Sequence, residues 1–249
     1  SEQREFADPE TGRRLVQLTS GDCFDYHLYY FIPSVTTDGK SIVFHRHQGD
    51  EVQLFRLDVE TGLTVRLTDA KTPNALWRPW LQGPGRGVRD LLSAFNTVTN
   101  EAIYFDSNEI RAVHIQTLAD RALFQLPADR VPCGLTGVSP DGKRFVFVHA
   151  DRTWWEANLD REPKRHEAEG VKLEVLDIAT GNVRMLVRMN SWLTHSNFYD
   201  NDRILFCHPP TENGLLMTDL QGGYYEHLRT QDALGRCTCH YIATEKGIM

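Results

Sequence analysis

The chain has 249 residues, of which 41% are hydrophobic and 24% are charged, and its net charge is -7 at pH 7. This composition is ordinary for a folded globular protein and predicts a hydrophobic core in one sizeable domain or two small ones. Nucleic acid and anionic membranes are excluded as general partners because both require clustered Lys and Arg, whereas an anionic small substrate needs only local positive charge.

The N-terminal segment is polar and acidic, and no stretch approaches the roughly 18 consecutive apolar residues of a membrane span. The sequence therefore shows neither a signal peptide nor a transmembrane helix. Its five cysteines are an odd number spread along the chain, which does not indicate a disulfide framework. A reducing compartment is favoured, and we expect a cytoplasmic protein.

Two short motifs recur along the chain and predict its strands. The first is an Asp-Gly turn followed by an apolar strand, found at residues 37–44 and 139–147, with weaker copies at 100–105, 201–206 and 245–249. The second is an Asp-x-x-Thr-Gly turn followed by a strand, found at residues 8–19, 58–68 and 177–186. Each unit also contains an apolar segment before the first turn and a strand that ends in Leu-Asp, so we expect four strands joined by short turns.

Four antiparallel strands repeated in this way are typical of a β-propeller blade. The turn positions are separated by 41 to 62 residues, and they lie at 38, 100, 141, 201 and 246. We therefore predict an all-β fold with four blades, at about residues 27–69, 75–127, 133–189 and 193–230.

Both ends of the chain depart from this pattern. Residues 13–19 predict an outer strand without its three inner partners, and residues 231–249 begin a further blade that stops in mid-strand. A complete ring of four blades is the alternative, but it would leave unpaired backbone groups at an edge, which stable proteins cover or charge. We expect residues 1–249 to be one propeller domain truncated at its C-terminus, with 13–19 as a closing outer strand.

Two insertions interrupt the repeats. Residues 81–90 are rich in glycine and predict a loop, and residues 151–170 form a polar excursion that contains Trp154 and Trp155. The two indole rings could stack on a sugar, or they could hold the excursion against the edge of a blade. The second interpretation is favoured.

Propeller connectivity brings the starts of inner strands and the ends of second strands to the same face of the disc. Seven of the ten histidines fall at such positions: His27, His195 and His240 at inner strands, and His45, His47, His149 and His208 at second strands. Imidazole titrates near neutrality and binds metal ions. This face is therefore the predicted functional face, although any one imidazole could instead hydrogen-bond neighbouring strands. Aromatic residues accompany the histidines, which suits a carbohydrate surface.

The sequence lacks the motifs of several other enzyme classes. It contains no Gly-x-Ser-x-Gly nucleophile elbow, no Gly-x-x-x-x-Gly-Lys phosphate loop and no His-Glu-x-x-His pair.

Several segments resemble oligogalacturonate lyases. Residues 190–195 (NSWLTH) are similar to the family's N-x-W-L-G-H segment, 204–208 (ILFCH) to its A-F-C-H segment, and 237–240 (CTCH) to its C-T-H segment. Residues 18–39 resemble the family's opening, where Leu-Thr leads to a histidine, aromatic residues and an Asp-Gly turn. The blade turns alone would match any TolB-like propeller.

The resemblance implies a TolB-like ring of seven blades, of which this chain holds the N-terminal four, and the activity of polysaccharide lyase family 22. That activity is metal-assisted β-elimination on short oligogalacturonides, in pectin degradation. By matching positions, His240 would be the catalytic base that removes the C5 proton, and His195, His208 and His27 would bind the anionic oligosaccharide.

The same resemblance implies a divalent cation, Mn²⁺ in type, that neutralises the uronate carboxylate. The family's metal ligands are three histidines and a glutamine in later blades, so we expect them beyond Met249 and none within this chain. One departure concerns specificity, because residues 209–214 are shorter than the matching segment and lack its arginine.

Two other functions stay open from the sequence. A TolB-like propeller could bind protein partners without catalysis, and the propeller could be the cap of a peptidase whose catalytic domain follows it. The sequence indicates neither the natural substrate nor the oligomeric state, and four blades alone are expected to be inactive.

Overall fold

A computed structural model describes residues 2–71, 86–89, 92–157, 170–208, 214–229, 241, 243–244 and 247–248. The first strands are β1 (Arg4–Ala7) and β2 (Arg14–Gln17), which pair as an exposed antiparallel hairpin. The strand predicted at 13–19 is β2, and its partner in the described chain is β1.

Sheet one holds four antiparallel strands in sequence order: β3 (Phe24–His27), β4 (Ser41–Gln48), β5 (Glu51–Asp58) and β6 (Thr64–Arg66). A short strand, β7 (Arg86–Gly87), pairs in parallel with the start of β5. Sheet two holds β8 (Ala94–Asn96), β9 (Glu101–Asp106), β10 (Glu109–His114) and β11 (Asp120–Gln125).

Sheet three holds β12 (Arg130–Pro132), β13 (Gly137–Val138), β14 (Arg144–Asp151), β15 (Val171–Asp177) and β16 (Val183–Met189), and the helix α1 (Arg152–Ala157) follows β14. Sheet four holds β17 (Thr194–Phe198), β18 (Arg203–His208), β19 (Gly214–Asp219) and β20 (Glu226–Arg229). The last strands, β21 (Ala243–Thr244) and β22 (Gly247–Ile248), form a hairpin. Within the described residues, no helix has the length and apolar character needed to cross a membrane.

The four sheets confirm the predicted all-β architecture of four-stranded antiparallel blades. Central strands are buried on both faces, as expected when each blade packs between two neighbours. In β14, for example, six consecutive residues from Phe145 to Ala150 are buried. One apolar cluster joins sheets one, two and three, and a second lies between sheets three and four.

The Asp-x-x-Thr-Gly motif forms the predicted hairpin turns. Asp58 Oδ1 accepts hydrogen bonds from the amide (2.8 Å) and the hydroxyl (2.7 Å) of Thr61, and Gly62 has a φ of 65°. The turns at Asp8 and Asp177 are capped in the same way. Because the carboxylate caps the turn locally and glycine takes the left-handed conformation without strain, the motif repeats wherever the turn does.

The Asp-Gly turns also join neighbouring blades. The amide of Asp141 donates to Asn201 Oδ1 (2.9 Å), which links sheet three to sheet four. Asn96 Nδ2 donates to the carbonyl of Gly142 (2.8 Å), which links the same turn to sheet two. A Cβ added at Gly142 would lie 2.7 Å from Asn96 Oδ1, so this contact requires glycine.

The inner strands are interrupted. In sheet one, β3 begins at Phe24 and ends at His27, and the chain returns to the sheet only at the isolated bridge between Val35 and Ile42. In sheet three, the inner position is divided between β12 and β13, which both pair with β14. These interruptions allow the intervening residues to leave the plane of the sheet.

The excursion after β14 begins with α1, which carries the tryptophan pair. Trp155 is buried in the second apolar cluster and lies 6.3 Å from the ring of Trp192, measured between centroids. It packs α1 against the blades, in agreement with the structural interpretation of this pair, and residues 158–169 of the excursion lie outside the described ranges.

Candidate functional site

Residues 28–34 form a compact loop between β3 and the bridge at Val35. The amide of Ile32 donates to the carbonyl of Tyr29 (2.7 Å), and the amide of Leu28 donates to the hydroxyl of Ser34 (3.1 Å). Leu28, Tyr29, Phe31 and Ile32 are all buried. The loop therefore carries aromatic side chains out of sheet one and into contact with another blade.

His195 lies in a β-bulge near the start of sheet four. Thr194 pairs with Cys207, but the next pair joins Asn197 to Leu205, so β17 has one extra residue. His195 has a φ of 53° and is buried. Bulges redirect side chains and are frequent beside active sites, and a left-handed conformation in a residue other than glycine is uncommon.

The loop of sheet one meets the bulge of sheet four through one hydrogen bond. Tyr29 Oη lies 2.8 Å from Nε2 of His195, which is 166 positions away in the sequence. The two rings are 5.4 Å apart at 65°, an edge-to-face arrangement, and the ring of Phe31 lies 6.3 Å from the imidazole. His195 is thus held by aromatic residues of a different blade.

Tyr241 completes this group from the C-terminal part of the chain. Its hydroxyl donates to the carbonyl of His195, and its amide donates to Tyr30 Oη (3.0 Å). Its ring stacks on Phe31 with centroids 6.0 Å apart. Burial raises the pKa of the Tyr241 hydroxyl well above its usual 10, so this group stays a donor. We call these five residues the aromatic cluster: Tyr29, Tyr30, Phe31, His195 and Tyr241.

The structure describes the four predicted site histidines to different extents. His195 is in the aromatic cluster. His27 is the last residue of β3 and is exposed, with Nδ1 in contact with the Leu28 carbonyl. His208 ends β18, and only its backbone is described. His240 lies outside the described residues.

His45, another histidine of the predicted face, has structural contacts. It is completely buried, its Nε2 lies 3.3 Å from Ser93 Oγ, and its ring stacks on Tyr26 at 4.9 Å. Burial lowers the pKa of His45 to about 3. The imidazole is therefore neutral near pH 7. Through Ser93, which directly precedes β8, it connects sheet one to sheet two.

His149 is a second buried histidine with structural contacts. Arg130 Nε donates to its Nδ1 (2.8 Å), and its Nε2 lies 3.1 Å from Glu174 Oε2. Burial lowers the pKa of His149, although Glu174 opposes this effect. Because Nδ1 accepts from a guanidinium, Nε2 carries the ring proton and faces the carboxylate of Glu174.

Two residues of interest have no sequence motif that singles them out. Tyr241 could have been noticed only as the neighbour of the C-T-H-like segment.

Arg89 is wholly buried, and its Nε donates to the Ser107 carbonyl (3.2 Å). Its Nη1 and Nη2 have no hydrogen-bond partner in the part of the chain that the structure describes. Burial lowers the pKa of Arg89 to about 10, so the side chain is still cationic at pH 7.

No three side chains of His, Cys, Asp or Glu within the described ranges come together as a group that could hold a metal ion. The described residues therefore do not form a metal site by themselves.

Comparison with known proteins identifies relatives in sequence. The model of the oligogalacturonate lyase family matches residues 2–216. The oligogalacturonide lyase of Pectobacterium atrosepticum and the oligogalacturonate lyase of Dickeya dadantii are each 21% identical over 210 residues. Each alignment covers 82% of this chain and 50% of the relative, so the chain spans about half the length of the curated relatives it matches.

Solved structures share the fold. An oligogalacturonate lyase in complex with manganese has a TM-score of 0.76 at 21% identity, covering 92% of this chain and 60% of that one. An oligogalacturonate lyase from Vibrio parahaemolyticus has a TM-score of 0.78 at 18% identity, covering 96% and 62%. TolB from Acinetobacter baumannii has a TM-score of 0.55 at 17% identity, covering 94% and 50%. These likenesses show a TolB-like propeller fold, and the family match over residues 2–216 shows that the chain belongs to the oligogalacturonate lyase family.

Proposed function

We propose that the protein to which this chain belongs cleaves short oligogalacturonides by β-elimination in pectin degradation. The observation that carries the proposal is the aromatic cluster. It joins His195, in the segment similar to N-x-W-L-G-H, to Tyr241, which follows His240 directly in the sequence. Hydrogen bonds and ring contacts thereby connect His195, which the resemblance assigns to the site, to the residue that follows the proposed base.

His240 is the proposed base. In β-elimination the C5 proton of the uronate moves to the imidazole, and its electron pair forms the C4=C5 double bond. The C4–O4 bond breaks with its electrons on O4, which takes up a proton from solvent. A neutral imidazole suits the first step because its basicity is matched to neutral pH.

His195, His208 and His27 are the proposed substrate-binding residues. The exposed ring of His27 is accessible to a ligand. His195 is fixed by Tyr29 and Phe31, and an ordered imidazole beside aromatic rings suits the polar and apolar faces of a sugar.

A divalent cation, Mn²⁺, is the proposed cofactor. The support is one solved relative, an oligogalacturonate lyase in complex with manganese. The resemblance to the family places the ligands in later blades, and we propose on that basis that they lie beyond Met249. A bound cation would draw charge from the uronate carboxylate and make the C5 proton more acidic.

We propose that the whole protein is a seven-bladed ring. This chain would supply four of the blades, at about 27–69, 75–127, 133–189 and 193–230. Residues 13–19, which contain β2, would be the outer strand that closes the ring. We also propose a cytoplasmic location, which agrees with Cys23, Cys133 and Cys207 being thiols.

The test uses the full-length protein with saturated and unsaturated digalacturonate, with Mn²⁺ and after chelation. The expected result is absorbance from the new C4=C5 bond, lost on chelation and abolished by His240→Ala. The control is His227→Ala, which removes an exposed imidazole on β20. Full activity of His240→Ala would overturn the assigned base, and no activity on any oligogalacturonide would favour a non-catalytic binding protein.

A further inference from the structure

Tyr30 is the exposed aromatic residue of the loop at 28–34. It is 38% exposed, whereas its neighbours Tyr29 and Phe31 are buried. The loop interrupts the inner strand of sheet one, which is the strand nearest the central channel of a propeller. An aromatic ring is thus left uncovered beside the channel.

Contacts with three residues fix the ring of Tyr30. Its Oη accepts a hydrogen bond from the amide of Tyr241 (3.0 Å), the residue that follows the proposed base, His240. Its ring centroid lies 4.7 Å from that of Tyr29, at 49°, and 5.2 Å from that of Phe31, at 80°. Because the ring is already ordered, a ligand that covers it loses little affinity to side-chain entropy.

We propose that the ring of Tyr30 is a stacking platform for one sugar of the oligogalacturonide. The proposal rests on the proposed function, which supplies the ligand. A galacturonate ring has an axial O4, so its C–H groups at C3, C4 and C5 share one apolar face. Such a face packs on a flat aromatic ring, and removing both apolar surfaces from water favours binding.

The stacked sugar is not the one that loses its proton. The C5 proton leaves from the same apolar face, so an aromatic ring against that face of the reacting sugar would exclude the base. Tyr30 is therefore assigned to the neighbouring sugar, which carries away O4 when the C4–O4 bond breaks. Its contacts are the same before and during the reaction, so stacking strengthens binding and leaves the chemical step unchanged.

The first test compares Tyr30→Leu with Tyr30→Phe in the full-length protein with Mn²⁺ and saturated digalacturonate. Both variants lose the hydroxyl and its hydrogen bond to Tyr241, so the difference between them isolates the flat ring. The matched control pair is Tyr224→Leu and Tyr224→Phe. Tyr224 is also exposed (54%), and its hydroxyl donates to Asp219 Oδ2 (2.6 Å) between β19 and β20.

Loss of the ring predicts a KM for Tyr30→Leu about 5- to 10-fold above that of Tyr30→Phe, with kcat of the two variants equal within about twofold. The two Tyr224 variants are expected to have equal constants. Equal KM values for the two Tyr30 variants would overturn the proposal, whether or not their kcat values differ.

A second measurement does not need turnover. Calorimetric titration of saturated digalacturonate into full-length His240→Ala with Mn²⁺ gives Kd directly. In this background Tyr30→Leu is expected to have a Kd about 5- to 10-fold above that of Tyr30→Phe. Binding with equal Kd in both variants defeats the stacking role and leaves the proposed function intact, whereas a protein that does not bind digalacturonate defeats both.

Urea unfolding separates a ligand platform from a core residue. Because Tyr30 is exposed without ligand, the unfolding midpoints of Tyr30→Leu and Tyr30→Phe are expected to differ no more than those of the Tyr224 pair. A markedly lower midpoint for Tyr30→Leu would show that a later blade covers the ring, and the platform would be ruled out.

Discussion

The side-chain hydroxyl of Tyr241 donates a hydrogen bond to the backbone carbonyl of His195. This bond ties the C-terminal part of the chain to the bulge of β17, and the stacking of Tyr241 on Phe31 ties it to sheet one as well. The residue directly before Tyr241 is His240, the proposed base. The orientation of the base is therefore expected to depend on Tyr241.

Tyr241→Phe in the full-length protein tests this dependence. The ring can still stack on Phe31, but the buried carbonyl of His195 loses its donor, which is expected to lower the free energy of unfolding by about 1 kcal/mol. We also expect kcat to fall by about fivefold, corresponding to about 1 kcal/mol in the activation free energy. Urea unfolding and initial rates measure the two effects, and an unchanged kcat would show that the base is held by other contacts.

The repeat architecture could be predicted from sequence because its turns depend on local chemistry. Asp58, Thr61 and Gly62 form their capped turn within five consecutive residues, so the motif reports the turn directly. The loop at 28–34 could not be predicted in this way. Its tyrosines and phenylalanine have a high propensity for β-strands. In the structure they lie outside the sheet because they pack against His195 and Tyr241.

The site was predicted only in part for a similar reason. His195 and His45 both occur near strand ends, and nothing local distinguishes an imidazole in a β-bulge from one stacked between blades. The difference is burial and partners, since His45 contacts Ser93 and Tyr26 whereas His195 contacts Tyr29. Those contacts join segments distant in sequence and require the folded structure.

Arg46→Met is expected to destabilise the protein. Arg46 is buried on β4, where its Nη2 lies 2.7 Å from Asp25 Oδ2 and 3.0 Å from Glu2 Oε2. Hydrogen bonding to Asp25, and then to Glu2, raises the pKa of Arg46 above its usual value. Removing the guanidinium leaves two carboxylates without their partner, at a cost of about 3 kcal/mol. Chemical denaturation measures this loss, and a change below about 0.5 kcal/mol would contradict it.

Arg89→Met is expected to change stability in the opposite direction and to stabilise the protein. The guanidinium is buried like that of Arg46, but its Nη1 and Nη2 lack hydrogen-bond partners among the described residues. Burial, and then the positive charge of Arg152, lowers the pKa of Arg89 to about 10, so keeping the charge opposes folding. Methionine of similar length is expected to stabilise the protein by about 2 kcal/mol. Destabilisation comparable to that of Arg46→Met would instead show that a carboxylate from outside the described residues binds Arg89.

His45 is expected to make stability depend on pH. Its pKa is about 3 in the folded protein because of burial, against 6.5 for an ordinary histidine. Between pH 6.5 and 3 the unfolded chain therefore binds a proton that the folded protein does not. Stability falls as the pH decreases through this range, by about 1.4 kcal/mol per pH unit, and above pH 6.5 His45 has no such effect.

His45→Gln isolates this contribution because the amide can still hydrogen-bond Ser93 but does not titrate. The free energy of unfolding is measured for both proteins between pH 8 and 5, with His227→Gln as an exposed control. The stability advantage of the wild type over His45→Gln is expected to be constant above pH 6.5 and to shrink by about 1.4 kcal/mol per unit below it. His149 and the carboxylates contribute equally to both proteins and cancel in the difference. Parallel curves down to pH 5 would mean that a proton reaches His45 in the folded state, and that its burial between sheets one and two is incomplete.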